Sequence, residues 1–191
     1  MQKLYFRYGA VSSAKTLNLL AVAHQYERQG KHVRVLKPTL DTRYGVREVV
    51  SRAGLERTAD ITLDAATTLS AEAFTGVDCV LVDEAQFLTE FVVDQLRELT
   101  RTADVAVIAY GLRADFRGRL FEGSRRLLEV ADSIEEIKTT CAECNAKAVF
   151  NLKLIDGRPV TGGPAVEVGG DELYRGVCYA HWHDAVSGAD A

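Results

Sequence analysis

A chain of 191 residues, 47% of them hydrophobic, is long enough to bury a full core but short for two independent domains. Its 23 basic and 27 acidic side chains leave a net charge of −4, which argues against a nucleic-acid binder that works by neutralising phosphates. No apolar run approaches the ~20 residues of a bilayer span and no charged-then-apolar leader precedes the first strand, so a soluble cytoplasmic protein with no membrane partner is expected.

Leu4-Tyr5-Phe6-Arg7-Tyr8 reads as a buried strand, and Lys15–Arg28 carries Leu17, Leu19, Leu20, Val22, Ala23 and Tyr26 at helical spacing. Between them, Gly9-Ala10-Val11-Ser12-Ser13-Ala14-Lys15-Thr16 nearly matches Gly-x4-Gly-Lys-Ser/Thr. In that pattern backbone N–H groups wrap phosphates, the lysine reaches the β/γ oxygens and the hydroxyl meets Mg2+. Ala14 stands where the second glycine belongs, and its methyl group crowds a main chain that must approach the phosphates closely. Alanine is allowed in an α-region backbone, so the loop is expected to keep its shape at the cost of weaker ATP binding. An ordinary glycine turn between strand and helix is the plain alternative.

A second strand spans 32–38, is stopped by Pro38, and leads into the polar stretch Asp41-Thr42-Arg43-Tyr44-Gly45 beside the phosphate loop. The segment 46–69 is less regular, with a loop over 51–55 and a short strand at Ile61–Leu63. Cys79-Val80-Leu81-Val82-Asp83-Glu84 then reads as a central parallel strand that delivers carboxylates at its C-terminal edge, where ligands of open α/β sheets bind. In P-loop enzymes the first acid holds Mg2+ and the second acts as a base toward the attacking group. A strand ending in solvated acids is the alternative, but a phosphate loop and an acidic strand end in this order favour a nucleotide site. Cys79 reads as a small buried apolar residue.

A helix over 89–101 follows, with Phe91, Val92, Leu96 and Leu99 facing inward, then a strand over 104–110 and a loop from Gly111 to Gly118. An amphipathic helix over 120–130 and a strand over 133–138 complete a pattern of alternating elements. Such alternation predicts a parallel sheet covered by helices on both faces.

Cys141-Ala142-Glu143-Cys144 and Cys178-Tyr179-Ala180-His181 form two ligand-x2-ligand knuckles, which can place four donors at the corners of a tetrahedron around structural zinc. His183 is also within reach of Cys178 as the fourth ligand. A redox CxxC pair would leave the second knuckle unexplained. Three of the four cysteines in metal spacing fit a reducing compartment better than a disulfide scaffold. Between the knuckles, 148–154 resembles a hairpin arm, and 156–170 is rich in glycine and proline and anchored at both ends, which makes it a lid candidate. The expected division is a nucleotide-binding α/β domain over 1–138, a zinc-binding subdomain over 139–185 with a lid over 156–174, and a disordered tail over 186–191.

These parts, in this order, resemble the zinc-containing P-loop thymidine kinases of bacteria and animals, from Leu4 to about His181. The resemblance rests on the loop at Gly9 to Thr16, Lys37-Pro38 with Asp41-Thr42-Arg43, Ser51-Arg52, Asp83-Glu84-Ala85-Gln86-Phe87, Gly111-Leu112 with Asp115-Phe116, both knuckles, and Val168-Gly169-Gly170 followed by Tyr174. It implies a RecA-like parallel sheet and an ATP-dependent kinase of thymidine, with deoxyuridine as a further acceptor, in nucleotide salvage. It also implies Mg2+ with ATP, structural zinc, feedback by thymidine triphosphate, a homotetramer and no nucleic-acid partner.

Carried over by position, the resemblance makes Glu84 the base for the 5′-hydroxyl, Asp83 and Thr16 the Mg2+ partners, and Lys15 and Arg43 the cations that stabilise the transferring group. Gly9, Ala10, Val11, Ser12, Ser13 and Ala14 would cradle phosphates, with Gln86 orienting groups around the acceptor and Asp41 helping to organise the metal and substrate. Phe116 would stack on the pyrimidine, Val11 and Leu112 would border its 5-methyl group, and Asn151, Val168, Gly169, Gly170 and Tyr174 would hold the nucleoside within a lasso-like loop. The family spacing favours His181 as the fourth zinc ligand. Val11 stands where the family commonly has methionine, which loosens the base pocket. Plainer readings put Phe116 and Leu112 in the core, Tyr174 beside the zinc, and Arg43 and Arg52 on the surface. Two other functions compete: a catalytically weak nucleotide sensor that lost its phosphate grip through Ala14, and a zinc-ribbon ATPase on nucleic acid, which lacks the expected aromatic basic groove.

Overall fold

The computed structural model describes residues 1–164 and 173–189. Strands β1 (Leu4–Tyr8), β2 (Val33–Pro38), β5 (Ile61–Leu63), β6 (Cys79–Val82), β7 (Ala106–Gly111) and β8 (Ser133–Glu136) form one six-stranded sheet in the order β5-β2-β6-β7-β1-β8. Every pairing in it is parallel. All four residues of β6 are buried, as a parallel strand covered on both faces requires. Val80 and Val82 pack with Leu96 of α2 (Glu90–Thr102) and Leu127 of α3 (Glu122–Val130) on one face. Cys79 and Leu81 pack with Leu19 and Ala23 of α1 (Lys15–Arg28) on the other. Burial pushes the Cys79 thiol up to about 12, in keeping with an apolar role. Because β7 lies between β1 and β6, the phosphate loop and the acidic strand end leave the same sheet edge with a gap between them.

Two helix starts differ in kind. Thr89 caps α2 by accepting the Val92 N–H at 3.4 Å. The head of α1 has no side-chain cap and no acid in its first turn, which leaves its N–H groups to an anion. The face of α2 is a correction: Phe91 is 54% exposed, and Val93 takes the core position beside Val92, Leu96 and Leu99. Strand β7 starts at Ala106, after a left-handed turn at Asp104 (φ 52). Within the irregular stretch, β3 (Glu48–Val50) and β4 (Glu56–Thr58) form an antiparallel hairpin that periodicity did not reveal.

Beyond the main sheet, β9 (Phe150–Ile155) pairs antiparallel with β10 (Arg158–Pro159) and β11 (Tyr174–Val177), and α4 (Tyr179–Ala189) closes the described chain. Residues 186–189 are thus helical where a disordered tail was expected. A third core joins Leu152, Leu154 and Val177 to Cys141 and Cys178, with Phe150 and Trp182 against it. A Cβ on Gly176 of β11 would lie 2.9 Å from Val11 O, so this strand runs directly against the phosphate-loop backbone. Of the expected lid, Val168, Gly169 and Gly170 lie outside the described residues. Among the described residues, no helix is long and apolar enough to cross a membrane.

Candidate active site

The loop between β1 and α1 forms one wall of a cleft of about 370 Å³ that also takes in Asp41, Arg43, Arg52, Asp83, Glu84 and Leu112. Gly9 is required by close approach, since a Cβ there would sit 2.2 Å from Ser13 Oγ and 2.6 Å from Ile137 O. Lys15 is buried and folded onto its own loop, donating to Ala10 O at 2.8 Å, Ser13 Oγ at 3.3 Å and Gly9 O at 3.4 Å. Burial lowers its ammonium to about 8, against the pull of Glu84 and Asp83. Arg52, at the tip of the β3–β4 hairpin, donates to Ser12 Oγ and brings that hairpin over the loop.

Ala14 departs from the α-region backbone expected of it: φ is 60° and ψ 29°, in the left-handed region. The cost of replacing glycine is therefore backbone strain, on the order of 1–2 kcal/mol for a residue carrying a Cβ. Ser12 is left-handed as well, with φ 66°. The alanine methyl does not seal the site, because Ala14, Lys15 and Thr16 all line the cleft. Nothing in this geometry favours the sensor reading.

At the end of β6, the Thr16 hydroxyl lies 3.1 and 3.2 Å from the two Asp83 carboxylate oxygens. Burial, reinforced by the Glu84 charge, pushes the Asp83 carboxyl up to about 7. A hydroxyl and a carboxylate so close together are hard oxygen donors suited to Mg2+. Glu84 is itself left-handed (φ 48°, ψ 38°) where β6 gives way to a 3₁₀ turn over Ala85–Phe87. Such strain at a charged residue in a cleft is characteristic of functional positions. Glu84 Oε1 accepts from Arg43 Nη2, and Oε2 from Gln86 Nε2. The other end of the Gln86 carboxamide accepts the Leu112 N–H at 2.9 Å.

Arg43 is held in turn by Asp41, Nε to Oδ1 at 2.7 Å. Behind this pair stands Lys37, fully buried, 3.3 Å from Asp41 Oδ2 and donating to Gly45 O at 2.9 Å and Glu48 O at 2.7 Å. Burial alone would raise the Asp41 carboxyl, but Arg43 and Lys37 hold it below the ordinary carboxylate range. The supporting role of Lys37 escaped the sequence reading, although a lysine inside an apolar strand was a signal for it.

On the far side of Leu112, the structure places Phe116 in the interior, 2% exposed and outside the cleft lining. The Lys153 ammonium lies 5.2 Å from its ring centroid. Asn151 uses both ends of its amide within the protein, accepting the Val11 N–H at 2.8 Å and donating to Ala114 O at 2.9 Å. It thereby ties the phosphate loop to the segment that carries Phe116. Tyr174 is half-buried at the start of β11, in register with Lys153.

The donor atoms of Cys141, Cys144, Cys178 and His181 all lie within 4.8 Å of one another. Tetrahedral zinc with bonds of ~2.3 Å to sulfur implies ligand separations of about 3.8 Å. The distances here are 3.7 Å from Cys141 Sγ to His181 Nδ1, 3.9 Å from Cys144 Sγ to Cys178 Sγ, and 3.2 Å from Cys178 Sγ to His181 Nδ1. The Cys3His donor set and its spacing fit a structural zinc ion. His183 is instead exposed, with Nδ1 3.6 Å from Asp184, which makes His181 the histidine of the cluster.

The thymidine kinase family model matches residues 2–182. A thymidine kinase of Lactiplantibacillus plantarum is 46% identical over 184 residues, covering 95% of this chain and 96% of its own length. One from Enterococcus faecalis is 46% identical over 188 residues, at 95% of each chain. That of Enterobacteria phage T4 is 44% identical over 189 residues, covering 96% and 97% respectively. With motifs, metal knuckles and nearly full-length identity in agreement, the chain belongs to the thymidine kinase family.

Proposed function

We propose that this chain transfers the γ-phosphoryl group of ATP to the 5′-hydroxyl of thymidine, with deoxyuridine as a second acceptor, in nucleotide salvage. The observation that carries the reading is the convergence of Lys15, Arg43, Glu84 and the Thr16–Asp83 pair on one cleft at the head of an uncapped helix. Mg2+, held by Thr16 and Asp83 when bound, supplies neutralising charge on the β- and γ-phosphates.

The chain's own residues do the rest. Lys15 leaves its loop carbonyls for phosphate oxygens, and backbone N–H groups from Gly9 to Ala14 orient the triphosphate. Arg43 moves from Glu84 onto the transferring group. The freed Glu84 carboxylate accepts the 5′-hydroxyl proton as that oxygen bonds to phosphorus and the bridging oxygen departs with ADP. Val11 and Leu112 border the base, and Phe116 turns out of its interior position to stack on it. Gln86 and Asn151 hold these segments in place, and Tyr174 closes over the sugar; the expected contacts from Val168, Gly169 and Gly170 fall outside the described residues.

Thymidine triphosphate would fill both halves of this site at once, which supports feedback inhibition. A homotetramer, a cytoplasmic setting, and division into a kinase domain over 1–138 and a zinc subdomain over 139–185 accord with the family resemblance. Incubation with thymidine, Mg2+ and ATP should yield thymidine monophosphate, and Glu84→Gln should not. A parent protein that forms no product, or a Glu84→Gln variant that matches it, defeats the reading.

A further inference from the structure

We propose that Trp182 is a positioning residue for the nucleoside side of this site, holding the main chain of Phe116 from the first turn of α4. The inference rests on the base-stacking role proposed above for Phe116. The Trp182 indole N–H donates to Phe116 O at 2.8 Å. Its ring stacks on Phe150 at a centroid separation of 4.7 Å and an interplanar angle of 23°.

The segment bearing Phe116 is gripped from the C-terminal subdomain at two carbonyls. Asn151, the neighbour of Phe150 on β9, takes Ala114 O at 2.9 Å, and Trp182 takes Phe116 O. Between them the Asp115 carboxylate turns back into its own loop, accepting the N–H groups of Arg117 and Arg119, both at 2.9 Å. At Gly118 (φ +75°) a Cβ would meet Phe150 at 3.4 Å and Trp182 at 3.6 Å, so the loop closes directly on the aromatic pair.

Trp182 is itself fixed by the metal knuckle. It follows His181 in the chain, and its backbone N–H donates to Cys178 O at 3.0 Å. Of the two grips on this segment, the one at the Phe116 carbonyl is therefore referred to the zinc cluster through the Trp182 side chain. The phosphate loop takes its tie from Asn151 at Val11 and does not share this link. Loss of the indole N–H should weaken nucleoside binding while leaving the phosphate donor's site intact.

Trp182→Phe keeps a ring on Phe150 and removes only the N–H. The expected result is a thymidine KM raised roughly 3- to 10-fold, the worth of one neutral hydrogen bond, with kcat and the KM for ATP within about 2-fold of the parent. An unchanged thymidine KM, or equal rises for both substrates, overturns the proposal. If that variant does not fold, the parent answers the question, because Trp182 is the chain's single tryptophan. Because the indole is bonded to the main chain of the residue that stacks on the base, saturating thymidine should hold that loop against Trp182 and lower acrylamide quenching of its fluorescence, while ADP with Mg2+ leaves quenching unchanged. Absence of protection by thymidine overturns the proposal. A parent that binds no thymidine at all removes the functional reading and this inference together, whereas a parent that phosphorylates thymidine beside a silent Trp182→Phe removes this inference alone.

Discussion

Gln86 and Glu84 are joined carboxamide to carboxylate inside the protein, and the same carboxamide receives the Leu112 N–H at 2.9 Å. A side chain 2% exposed thus sets the distance between the proposed proton acceptor and the proposed base pocket. Gln86→Leu fills similar space without either bond. It should lower kcat about 10-fold, or about 1.4 kcal/mol of transition-state stabilisation, and raise the thymidine KM. Steady-state kinetics in both substrates checks this, with the KM for ATP close to the parent value.

The Asp83 carboxyl, pushed up to about 7 by burial and then by Glu84, makes the Mg2+-free protein sensitive to pH. An ordinary carboxyl loses its proton near 3.8, so between about 4 and 7 the folded state holds a proton that the unfolded state has lost. Stability without added Mg2+ should therefore fall as pH rises through that window. Thermal melts across the range should show the decline in the parent and a flatter profile in Asp83→Asn. Affinity for Mg2+ with nucleotide should rise as pH climbs through 7, as the competing proton is lost from Asp83.

Ala14→Gly releases the left-handed strain at φ 60°. The gain from unstrained backbone exceeds the entropy glycine restores to the unfolded chain, so a net stabilisation of about 1 kcal/mol and a Tm increase of roughly 2–4 °C are expected. ATP affinity should improve in the same variant. Calorimetric melting and a nucleotide titration test the two effects separately, and a lower Tm would contradict the strain.

Removal of a knuckle ligand should act at a distance. Cys141→Ser should drop bound zinc from roughly one equivalent per chain and lower Tm, because the third core is built around Cys141 and Cys178. Metal analysis beside thermal melting measures both. A His183→Ala variant should keep its zinc, since His183 is exposed and outside the cluster.

Much of this architecture is written in local sequence. Chemistry tied to a short motif was legible: the phosphate loop, the acids after β6 and the two knuckles each need particular residue types at fixed spacing. The alternation of apolar strands and amphipathic helices likewise predicted a parallel sheet covered on both faces. What escaped depends on partners remote in the chain. The β3–β4 hairpin is too short for periodicity to register, yet it carries Arg52 to Ser12. Phe91 matched the helical apolar stripe but lies on the solvent side of α2, because Val92 and Val93 together complete the buried face. The backbone of Ala14 was misjudged because a residue's identity does not disclose its φ when the surrounding turn dictates it. Trp182 gave no hint of its bond to a carbonyl in a loop far earlier in the chain.

The narrow approach at Gly176 carries a last consequence. With only 2.9 Å between a would-be Cβ and Val11 O, β11 and the phosphate loop meet as bare backbones. Any side chain introduced there would work as a shim, prying the nucleoside half of the protein away from the triphosphate half. The gauge between donor and acceptor is therefore written in a missing methyl group, and enlarging that one residue should uncouple two otherwise well-formed half-sites.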